Sequence, residues 1–452
     1  MSFINGQDNI QTFSKPFLNE SESTNEIKTS ESNESNVEKA ILVGLETYRG
    51  KVIDGRSQGE RSLEELEELA VTAGVLVVHK VLQRRHAEDA AYYIGKGMVE
   101  HLSSLCQELH ADVLIFDDEL TGAQIRNIED ITGVKVVDRT TLILDIFAQR
   151  ARSKEGKIQV ELAQLKYRLP RLTGMGGQLS RLGGGIGTRG PGEKKLEADR
   201  RHIRRRISYL EKELKELDKR RNLIRKGRSR NLMPVIALVG YTNAGKSTLM
   251  NKLCGADVFA EDKLFATLDP TTRCLALPDG RKSLLVDTVG FIRKLPHELV
   301  EAFKSTLEET VYADMLIHVV DASSEEAQEQ IAVVDELLQS LGALNKPVIL
   351  ALNKMDIAGD HARVLAAGSG ERVFEISALT GQGLDRLVDG IAEIMPADEV
   401  NVVVFAPYDA GWIIPYIHEN GKVLAQEFTD SGVKVNALLK TSKIERIGDY
   451  II

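Results

Sequence analysis

Apolar residues recur in short blocks along the N-terminal third of the chain, and segments with a helical repeat separate them. Four blocks predict buried strands, at Ala40–Leu45, Val75–Val81, Val113–Phe116 and Val134–Val137. The intervening segments predict helices around Ser62–Ala73, Met98–Leu109 and Thr121–Ile131. Alternating strands and helices are typical of a small α/β domain, which we place at residues 39–151.

The next part of the chain has the repeat of a coiled coil. Apolar residues advance in steps of three and four along two stripes: Ile158, Leu162, Leu165, Leu169 and Leu172, then Ile203, Ile207, Leu210, Leu214 and Leu217. Between the stripes lies Thr173–Gly192, with nine glycines. A loop this rich in glycine buries little apolar surface. We therefore expect a mobile tip, which is either a flexible linker or a functional loop. Residues 152–230 therefore predict a helical hairpin.

The remaining segments complete a predicted α/β architecture. Residues 231–397 predict a domain with a mostly parallel sheet, and residues 398–452 a small α+β domain. The latter has a strand, a helix near Ala410–Glu419 and a hairpin that turns at Thr429–Gly432. Residues 1–38 are rich in Ser, Asn and Glu and lack apolar periodicity, so we expect a disordered acidic tail.

Charge is distributed unevenly along the chain. The net charge is −9, but residues 150–230 hold 25 Lys and Arg against nine Asp and Glu. Such a local excess attracts phosphate-rich surfaces. The run Arg200–Arg206 favours RNA as the partner, with no DNA, although arginine is also common on solvated helices. The chain has neither an apolar run of membrane-spanning length nor a disulfide framework, so we expect a cytoplasmic protein without an integral membrane segment. The oligomeric state is open, with a monomer favoured.

A phosphate-binding loop follows the predicted strand Pro234–Gly240. Glycines let the loop amides face the β-phosphate of a nucleotide, and the next helix adds its positive N-terminal dipole. Lys246 would reach the β- and γ-phosphates, and the Ser247 hydroxyl would ligate Mg²⁺. We also hypothesise that Asn243 helps to bind a K⁺ ion that neutralises phosphate charge. The residues expected to bind the nucleotide here are Gly240, Tyr241, Thr242, Asn243, Ala244, Gly245, Lys246 and Ser247.

A second motif, D-x-x-G, stands about 40 residues further on, after the predicted strand Ser283–Val286. Asp287 would hold Mg²⁺ through water, and the Gly290 amide would sense the γ-phosphate. The next residue is Phe291, where many GTPases have a glutamine that orients water, so we expect slow hydrolysis without a partner. The expected nucleotide contacts of this motif are Asp287, Thr288, Val289 and Gly290.

Selection of the base is predicted from two segments near the carboxyl ends of later strands. The Asp356 carboxylate can accept hydrogen bonds from the ring NH and the exocyclic amine of guanine, a pair that adenine lacks. The residues expected around the base are Asn353, Lys354, Met355, Asp356, Ser377, Ala378 and Leu379. A further Mg²⁺ ligand is expected between the first two motifs, where spacing does not choose among Thr267, Thr271 and Thr272.

Together these motifs resemble the HflX family of bacterial ribosome-associated GTPases over roughly residues 40–452. The resemblance rests on GYTNAGKS, FATLDPTTR, DTVGFI and NKMD, preceded by VELAQLKYRLPRL and GGGIGTRGPGE. It implies that Thr267 is the second Mg²⁺ ligand and that Lys246, Gly290 and Thr267 serve catalysis. The switch-one residues that it implies are Phe265, Ala266, Thr267, Leu268 and Asp269.

The resemblance also implies a partner and a role. It implies that the chain binds the 50S ribosomal subunit and uses GTP to dissociate or recycle stalled ribosomes, and that it also aids subunit maturation. The alternative is a ribosome-assembly scaffold in which GTP is a structural ligand and hydrolysis is incidental. Both interpretations require GTP and Mg²⁺. They differ in whether GTP hydrolysis drives the effect on the ribosome.

Overall fold

The computed structural model of the chain describes residues 10–13, 37–47, 52–53, 56–172, 191–228, 233–255, 264–265, 268, 270–294, 299, 304–343, 345–358, 372–395 and 399–452. Its strands are β1 (Ile10–Phe13), β2 (Lys39–Thr47), β3 (Val52–Ile53), β4 (Arg56–Ser57), β5 (Leu76–Arg85), β6 (Val113–Phe116), β7 (Lys135–Asp138), β8 (Val235–Val239), β9 (Thr271–Ala276), β10 (Lys282–Asp287), β11 (Met315–Asp321), β12 (Val348–Asn353), β13 (Val373–Glu375), β14 (Glu399–Pro407), β15 (Gly421–Thr429) and β16 (Gly432–Lys440).

The helices alternate with these strands through most of the chain. They are α1 (Gln58–Thr72), α2 (Lys96–Leu109), α3 (Gly122–Thr132), α4 (Arg139–Arg150), α5 (Lys154–Arg171), α6 (Pro191–Arg228), α7 (Lys246–Cys254), α8 (Lys304–Tyr312), α9 (Ala327–Ser340), α10 (Leu384–Ile394), α11 (Ile413–Asn420) and α12 (Thr441–Ile444), with a 3₁₀ helix at Glu445–Tyr450. Among the described residues, none of the helices combines the length and the apolar character that crossing a membrane requires.

A five-stranded sheet in the order β1-β5-β2-β6-β7 forms the N-terminal domain. The last four of these strands are parallel, and β1 pairs antiparallel with β5. Side chains of β2 alternate between two buried clusters, since Ala40 and Leu42 face α1 and α4 while Ile41 and Val43 face α2 and α3. Helices therefore cover both faces, as the α/β pattern predicts.

Two parts of this domain depart from the sequence-based expectation. Ile10–Phe13 forms β1, so the expectation of disorder is wrong for these residues, because pairing with β5 satisfies their backbone groups. Residues 1–9 and 14–36 lie outside the described part of the chain. The apolar pattern also does not predict α4, whose start is capped by Asp138: its carboxylate accepts a hydrogen bond from the Thr141 amide at 3.0 Å.

Helices α5 and α6 pack against each other as the predicted hairpin. Their shared seam contains Ile158, Leu162 and Leu165 from α5 and Ile207, Leu210, Leu214 and Leu217 from α6. Pro191 and Gly192, expected in the glycine-rich tip, are instead the first residues of α6, and proline suits the first helical position. The rest of that tip, residues 173–190, lies outside the described residues.

The opposite face of α5 belongs to the core of the N-terminal domain. Val160, Ala163 and Tyr167 are buried in the cluster that contains α1 and α4. The Tyr167 hydroxyl donates a hydrogen bond to the carboxylate of Asp138. One continuous core therefore runs across the boundary that the change of sequence period suggested near residue 151.

A six-stranded sheet in the order β13-β12-β11-β8-β10-β9 forms the central domain, residues 233–395. All neighbouring strands are parallel except β9, which is antiparallel to β10. Both faces of β8 are buried, with Ile236 and Leu238 in one cluster and Ala237 and Val239 in another. The carboxyl ends of β8, β10 and β12 lie at one edge of the sheet, where the three predicted motifs meet.

The C-terminal domain is a small antiparallel sheet in the order β14-β16-β15. Ile413 and Ile417 of α11 pack on Val433 and Val435 of β16. The predicted strand, helix and hairpin are present, with the turn between Thr429 and Gly432. Together with the other domains, this confirms the predicted fold class.

The N-terminal domain packs directly on the loops at the carboxyl edge of the central sheet. One buried cluster joins Phe147 of α4 with Tyr241, Phe265 and Ile292 of the central domain. The rings of Phe147 and Phe265 are 4.7 Å apart between centroids, with an interplanar angle of 85°. This edge-to-face contact places the N-terminal domain against the predicted switch-one segment.

Candidate nucleotide-binding site

The loop between β8 and α7 has a backbone that requires glycine at two positions. Gly240 has a φ of +151°, and a Cβ there would lie 2.2 Å from the carbonyl oxygen of Val319. Gly245 has a φ of +93°, and a Cβ there would lie 2.3 Å from Asn353 Nδ2. A side chain at either position would be strained and would clash with a neighbouring segment. The two outer glycines of the motif therefore follow from the shape of the loop.

The helix after this loop begins without a side-chain cap. Gly245 is its N-cap residue and, having no side chain, it makes no side-chain cap hydrogen bond to the first turn. The amides of that turn are the ones that a helix leaves unsatisfied, and they carry the positive end of the helix dipole. The end of α7 thus has the geometry that binds a phosphate group.

Lys246 lies buried beneath the loop. Its Nζ donates hydrogen bonds to the carbonyl oxygens of Gly240 at 3.1 Å and Tyr241 at 2.8 Å. Burial lowers the pKa of Lys246 to about 8, although the charge of Asp287 opposes that shift. An anion beside this amine would favour its charged form and raise the pKa again.

Ser247 and Asp287 bring two oxygen donors together at the start of α7. The Ser247 hydroxyl donates a hydrogen bond to Asp287 Oδ2 at 2.6 Å. Asp287 ends β10 and is fully buried. A carboxylate and a hydroxyl are the hard ligands that Mg²⁺ prefers, and a buried carboxylate is stabilised by a nearby cation. The donor set fits Mg²⁺.

The predicted switch-one segment is described only in part. Phe265 and Leu268 are buried in the core shared by the N-terminal and central domains. Ala266, Thr267 and Asp269 lie outside the described residues. The alternatives Thr271 and Thr272 lie in β9, and the pairing of β9 with β10 places Thr271 opposite Asp287.

Gly290 lies directly on the phosphate loop. A Cβ on Gly290 would be 2.8 Å from Thr242 Cγ2, 2.9 Å from Thr242 Cα and 3.0 Å from Lys246 Nζ. The Phe291 amide donates to the carbonyl of Gly240 at 3.1 Å, and the Phe291 carbonyl accepts from the Thr242 amide at 2.8 Å. The Phe291 ring is buried in the core of the central domain. The position expected to orient water in other GTPases therefore points into the protein.

The two residues between Asp287 and Gly290 also turn their side chains inward. The Thr288 hydroxyl donates to the carbonyl oxygen of Leu238 at 2.6 Å. Val289 packs in the core shared with the N-terminal domain. Contacts of this pair with a nucleotide would therefore use backbone groups.

Asn353 connects the phosphate loop to the predicted base site. Its Nδ2 donates to the carbonyl oxygen of Ala244 at 2.8 Å, and its Oδ1 accepts from the Ala378 amide at 2.8 Å. The Asn353 side chain is buried, and these two hydrogen bonds connect the phosphate loop to the segment that contains Ala378. Its expected place beside the base stays a prediction. Lys354 has a φ of +63° and pairs with Asp321 at 2.7 Å.

The two base-selecting segments lie side by side. The Met355 amide donates to the carbonyl oxygen of Ile376 at 3.1 Å, which joins the first segment to the second. Asp356 is exposed at this position. Ser377 is buried and its Oγ accepts from the Thr380 amide at 3.2 Å, while the Leu379 side chain is 70% exposed. The arrangement leaves the Asp356 carboxylate at the surface, where a guanine base can approach.

The structure adds residues of the N-terminal domain that the sequence analysis missed. A cleft of about 370 Å³ is bordered by Tyr241 and Asn243 of the loop and by Arg61 and Glu65 of α1. The Tyr241 hydroxyl donates to Glu65 and accepts from the Arg293 amide at 2.8 Å. Residues 65 and 241 share no motif and no repeat, so no local signal in the sequence connects them.

Three protein-family models match the chain in the order of its domains. The model described as "GTP-binding GTPase N-terminal" matches residues 60–148, and "GTP-binding GTPase Middle Region" matches residues 150–228. The model described as "50S ribosome-binding GTPase" matches residues 235–354. The third match covers the phosphate loop, the D-x-x-G motif and the start of the base-selecting segment.

Curated relatives align with most of the chain. The GTPase HflX of Caldanaerobacter subterraneus subsp. tengcongensis is 54% identical over 416 residues, 92% of this chain and 94% of the relative. The GTPase HflX of Escherichia coli K12 is 41% identical over 377 residues, 83% of this chain and 87% of the relative. A solved GTP-binding protein from Sulfolobus solfataricus in complex with GDP is 29% identical, with a TM-score of 0.43, and the alignment covers 79% of this chain and 98% of that one.

Identity at this level extends from the N-terminal domain through the central domain. The phosphate loop, the uncapped start of α7 and the base-selecting segments supply the geometry for GTP and GDP, and the chain is a GTP hydrolase. Sequence, fold and site agree, and the chain belongs to the HflX family of GTPases.

Proposed function

We propose that this GTPase binds the 50S ribosomal subunit and uses its GTP cycle to dissociate or recycle stalled ribosomes, with subunit maturation as a further role. The observation that carries the proposal is an exposed arginine cluster on α6, at Arg201, Arg204 and Arg205. Clustered arginines on a two-helix projection attract the phosphates of RNA. The family model over the central domain, described as a 50S ribosome-binding GTPase, supports the same partner. Such a partner places the protein in the cytoplasm.

The contacts of Arg206 narrow the RNA-binding part of this run. Its guanidinium forms two hydrogen bonds with the Glu161 carboxylate of α5, at 2.7 and 2.8 Å. Arg206 therefore ties the two helices of the hairpin together, and its charge is already partnered. We assign RNA contact to the arginine cluster and a structural role to Arg206.

For catalysis we propose that Ser247 and Thr267 ligate Mg²⁺ directly and that Asp287 ligates it through water. Mg²⁺ neutralises charge on the β- and γ-phosphates when it is bound. Lys246 then stabilises the same phosphates, and the Gly290 amide contacts the γ-phosphate. The buried Phe291 ring supplies no hydrogen bond, so acceleration of hydrolysis comes either from rearrangement on a partner such as the ribosome or from a group outside these motifs. Asn243 borders the cleft where K⁺ would add positive charge, and equal turnover in K⁺ and Na⁺ buffers would remove that ion from the proposal.

In this cycle GTP orders the switch segments, which position the N-terminal domain and the hairpin on ribosomal RNA, and hydrolysis releases them. The second candidate is a scaffold in which hydrolysis is incidental. The variants Asp287→Ala and Ser247→Ala separate the two. A scaffold retains its effect on subunits in these variants, whereas a GTP-timed factor loses the ability to dissociate them.

Co-sedimentation with 50S subunits in GTP, GDP and a non-hydrolysable analogue tests the partner and the cycle together. We expect binding to be strongest with the analogue. Changing Arg201, Arg204 and Arg205 to Glu should weaken binding and reduce its logarithmic salt slope by about three, with GTP affinity unchanged. The control changes three exposed cations elsewhere, Lys282, Arg372 and Lys422, to Glu. Equal binding by the two triple variants would contradict the RNA role of the arginine cluster.

A further inference from the structure

The strand order of the N-terminal domain creates a crevice at the carboxyl ends of β2 and β6. From β2 the chain passes to β5 on one side of that strand and then to β6 on its other side. Doubly wound sheets bind their ligands where the strand order reverses in this way. Asp117 directly follows β6, and its amide donates to the carbonyl oxygen of Val43 at 2.9 Å. Its carboxylate is buried. The position where such a sheet binds a ligand therefore holds a buried negative charge.

Groups from both domains surround this carboxylate. Asp117 Oδ1 accepts from Arg139 Nη1 at 2.8 Å, and Oδ2 accepts from the Ser62 hydroxyl at 2.5 Å. The third partner is Lys294 of the central domain, whose Nζ lies 2.5 Å from Asp117 Oδ2 and 2.5 Å from Asp118 Oδ1. The crevice is thus filled by a lysine that follows Gly290 by four residues.

The same segment is held at a second point. Arg139 Nη2 pairs with Glu65 and donates to the carbonyl oxygen of Arg293 at 3.4 Å. The Arg293 amide donates to the Tyr241 hydroxyl at 2.8 Å, and that hydroxyl donates to Glu65. Residues 293 and 294 are therefore fixed between the phosphate loop and the N-terminal domain.

A short stretch of backbone connects Gly290 to Lys294. Four residues span at most about 14 Å, and Phe291 within them is hydrogen-bonded to the phosphate loop. Lys294 also has a φ of +53°, a conformation that non-glycine residues adopt only where surrounding contacts hold it. A shift of Gly290 toward a γ-phosphate would therefore act on a short segment that ends in the contacts of Lys294 with Asp117 and Asp118.

We propose that Lys294 couples the nucleotide state to the docking of the N-terminal domain. Its ammonium group, seated between Asp117 and Asp118, makes the position of the N-terminal domain depend on whether GTP or GDP occupies the central domain. The proposal deepens the GTP-controlled cycle described above and rests on it. Lys294 is a positioning residue in this proposal, because it acts through Gly290 and its ammonium group pairs with Asp117 and Asp118.

Hydrogen exchange of the full chain without ribosomes tests the coupling. The readout is deuterium uptake in the peptide that contains Asp117 and Asp118, in GDP and in a non-hydrolysable GTP analogue. We expect protection in the wild type to differ about tenfold between the two nucleotides, within the usual range of coupling between sites. In Lys294→Gln the two nucleotides should give equal uptake. Lys294→Arg, which keeps the charge, should retain most of the difference.

Lys282→Gln is the matched control, because Lys282 is exposed at the start of β10, the strand that leads to Gly290. By linkage, the ratio of GDP affinity to analogue affinity must change in Lys294→Gln by the factor lost in exchange. An intact nucleotide-dependent difference in Lys294→Gln, or none in the wild type, would overturn the proposal. A cooperative unfolding transition in urea shows that the variant is folded. Because no ribosome is present, these results leave the 50S assignment to its own test.

Discussion

Arg139 and Lys246 are both buried cations at the carboxyl edge of a parallel sheet, but their partners differ. Arg139, in the N-terminal domain, pairs with the carboxylates of Asp117 and Glu65. Burial by itself lowers the pKa of Arg139, and these carboxylates raise it overall. Lys246, in the central domain, donates to backbone carbonyl oxygens, and its pKa is lowered to about 8.

The difference distinguishes a charge that stabilises the fold from a charge that is ready for a ligand. The carboxylates around Arg139 satisfy it within the protein, so its crevice presents little charge to an external anion. The lowered pKa of Lys246 means that a phosphate beside it would gain a strong electrostatic partner. Two sheets of the same kind thus use the same edge, one to dock a neighbouring domain and one to bind a nucleotide.

The largest effect on stability should come from removing Arg139, the buried cation that pairs with carboxylates. Arg139→Met leaves Asp117 and Glu65 with fewer partners, and losing one partner of a buried ion pair costs about 3–5 kcal/mol. We expect the free energy of unfolding, measured with urea, to fall by that amount. Arg126→Met is the control, because Arg126 is only partly buried and its Nε bonds to the carbonyl oxygen of Gly122 in its own helix. A loss below about 1 kcal/mol would show that the crevice does not depend on Arg139.

Removing the charge of Lys246 should affect GTP turnover more than stability. Lys246→Met should slow GTP turnover about 100-fold to 1000-fold, since it removes a preorganised donor to the phosphates. Without nucleotide, its free energy of unfolding should not fall, because burial already disfavours the charged amine. Steady-state hydrolysis and urea unfolding measure the two effects. Lys252→Met, on the same helix, is the control; a large loss of stability in Lys246→Met with little loss of turnover would refute the distinction.

A smaller effect concerns pH. Because the folded pKa of Lys246 is about 8, below the 10.5 of an unperturbed lysine, its contribution to stability without nucleotide rises as pH increases from about 8 to 10.5. GDP binding has the opposite sign, since phosphate requires the charged amine. We expect GDP affinity to fall about threefold between pH 7.5 and 8.5 in calorimetry. Lys246→Arg keeps its charge and should lack this dependence; a similar decline in both proteins would assign it to another group.

Local patterns predicted a large part of the fold. The apolar block Ala40–Leu45 predicts β2, and the apolar stripes that contain Ile158 and Leu210 predict the two packed helices. The prediction failed for Ile10–Phe13, because its pairing with β5 depends on residues about 70 positions away. Leu169, Leu172 and Ile203 continue the stripes but are not part of the buried seam, because periodicity alone does not show how far along two helices the packing extends.

The residues of the candidate site also fall into two groups, those that a local motif predicts and those that it does not. Gly240, Gly245 and Lys246 could be predicted from the sequence because they stand together in one local motif. The role of Asn353 could not, because its partners Ala244 and Ala378 come from loops 109 and 25 residues away. Thr267 remains a prediction from family resemblance.

The amino-acid sequence alone was sufficient for the nucleotide motifs, the order of the domains and the basic hairpin, because each depends on residues close together in the chain. The docking of the N-terminal domain emerged only from the tertiary structure. Tyr241 meets Glu65 across 176 residues, and Lys294 meets Asp117 across 177. Such contacts depend on how two complete surfaces pack, and a surface is assembled from residues whose spacing in the chain carries no common period.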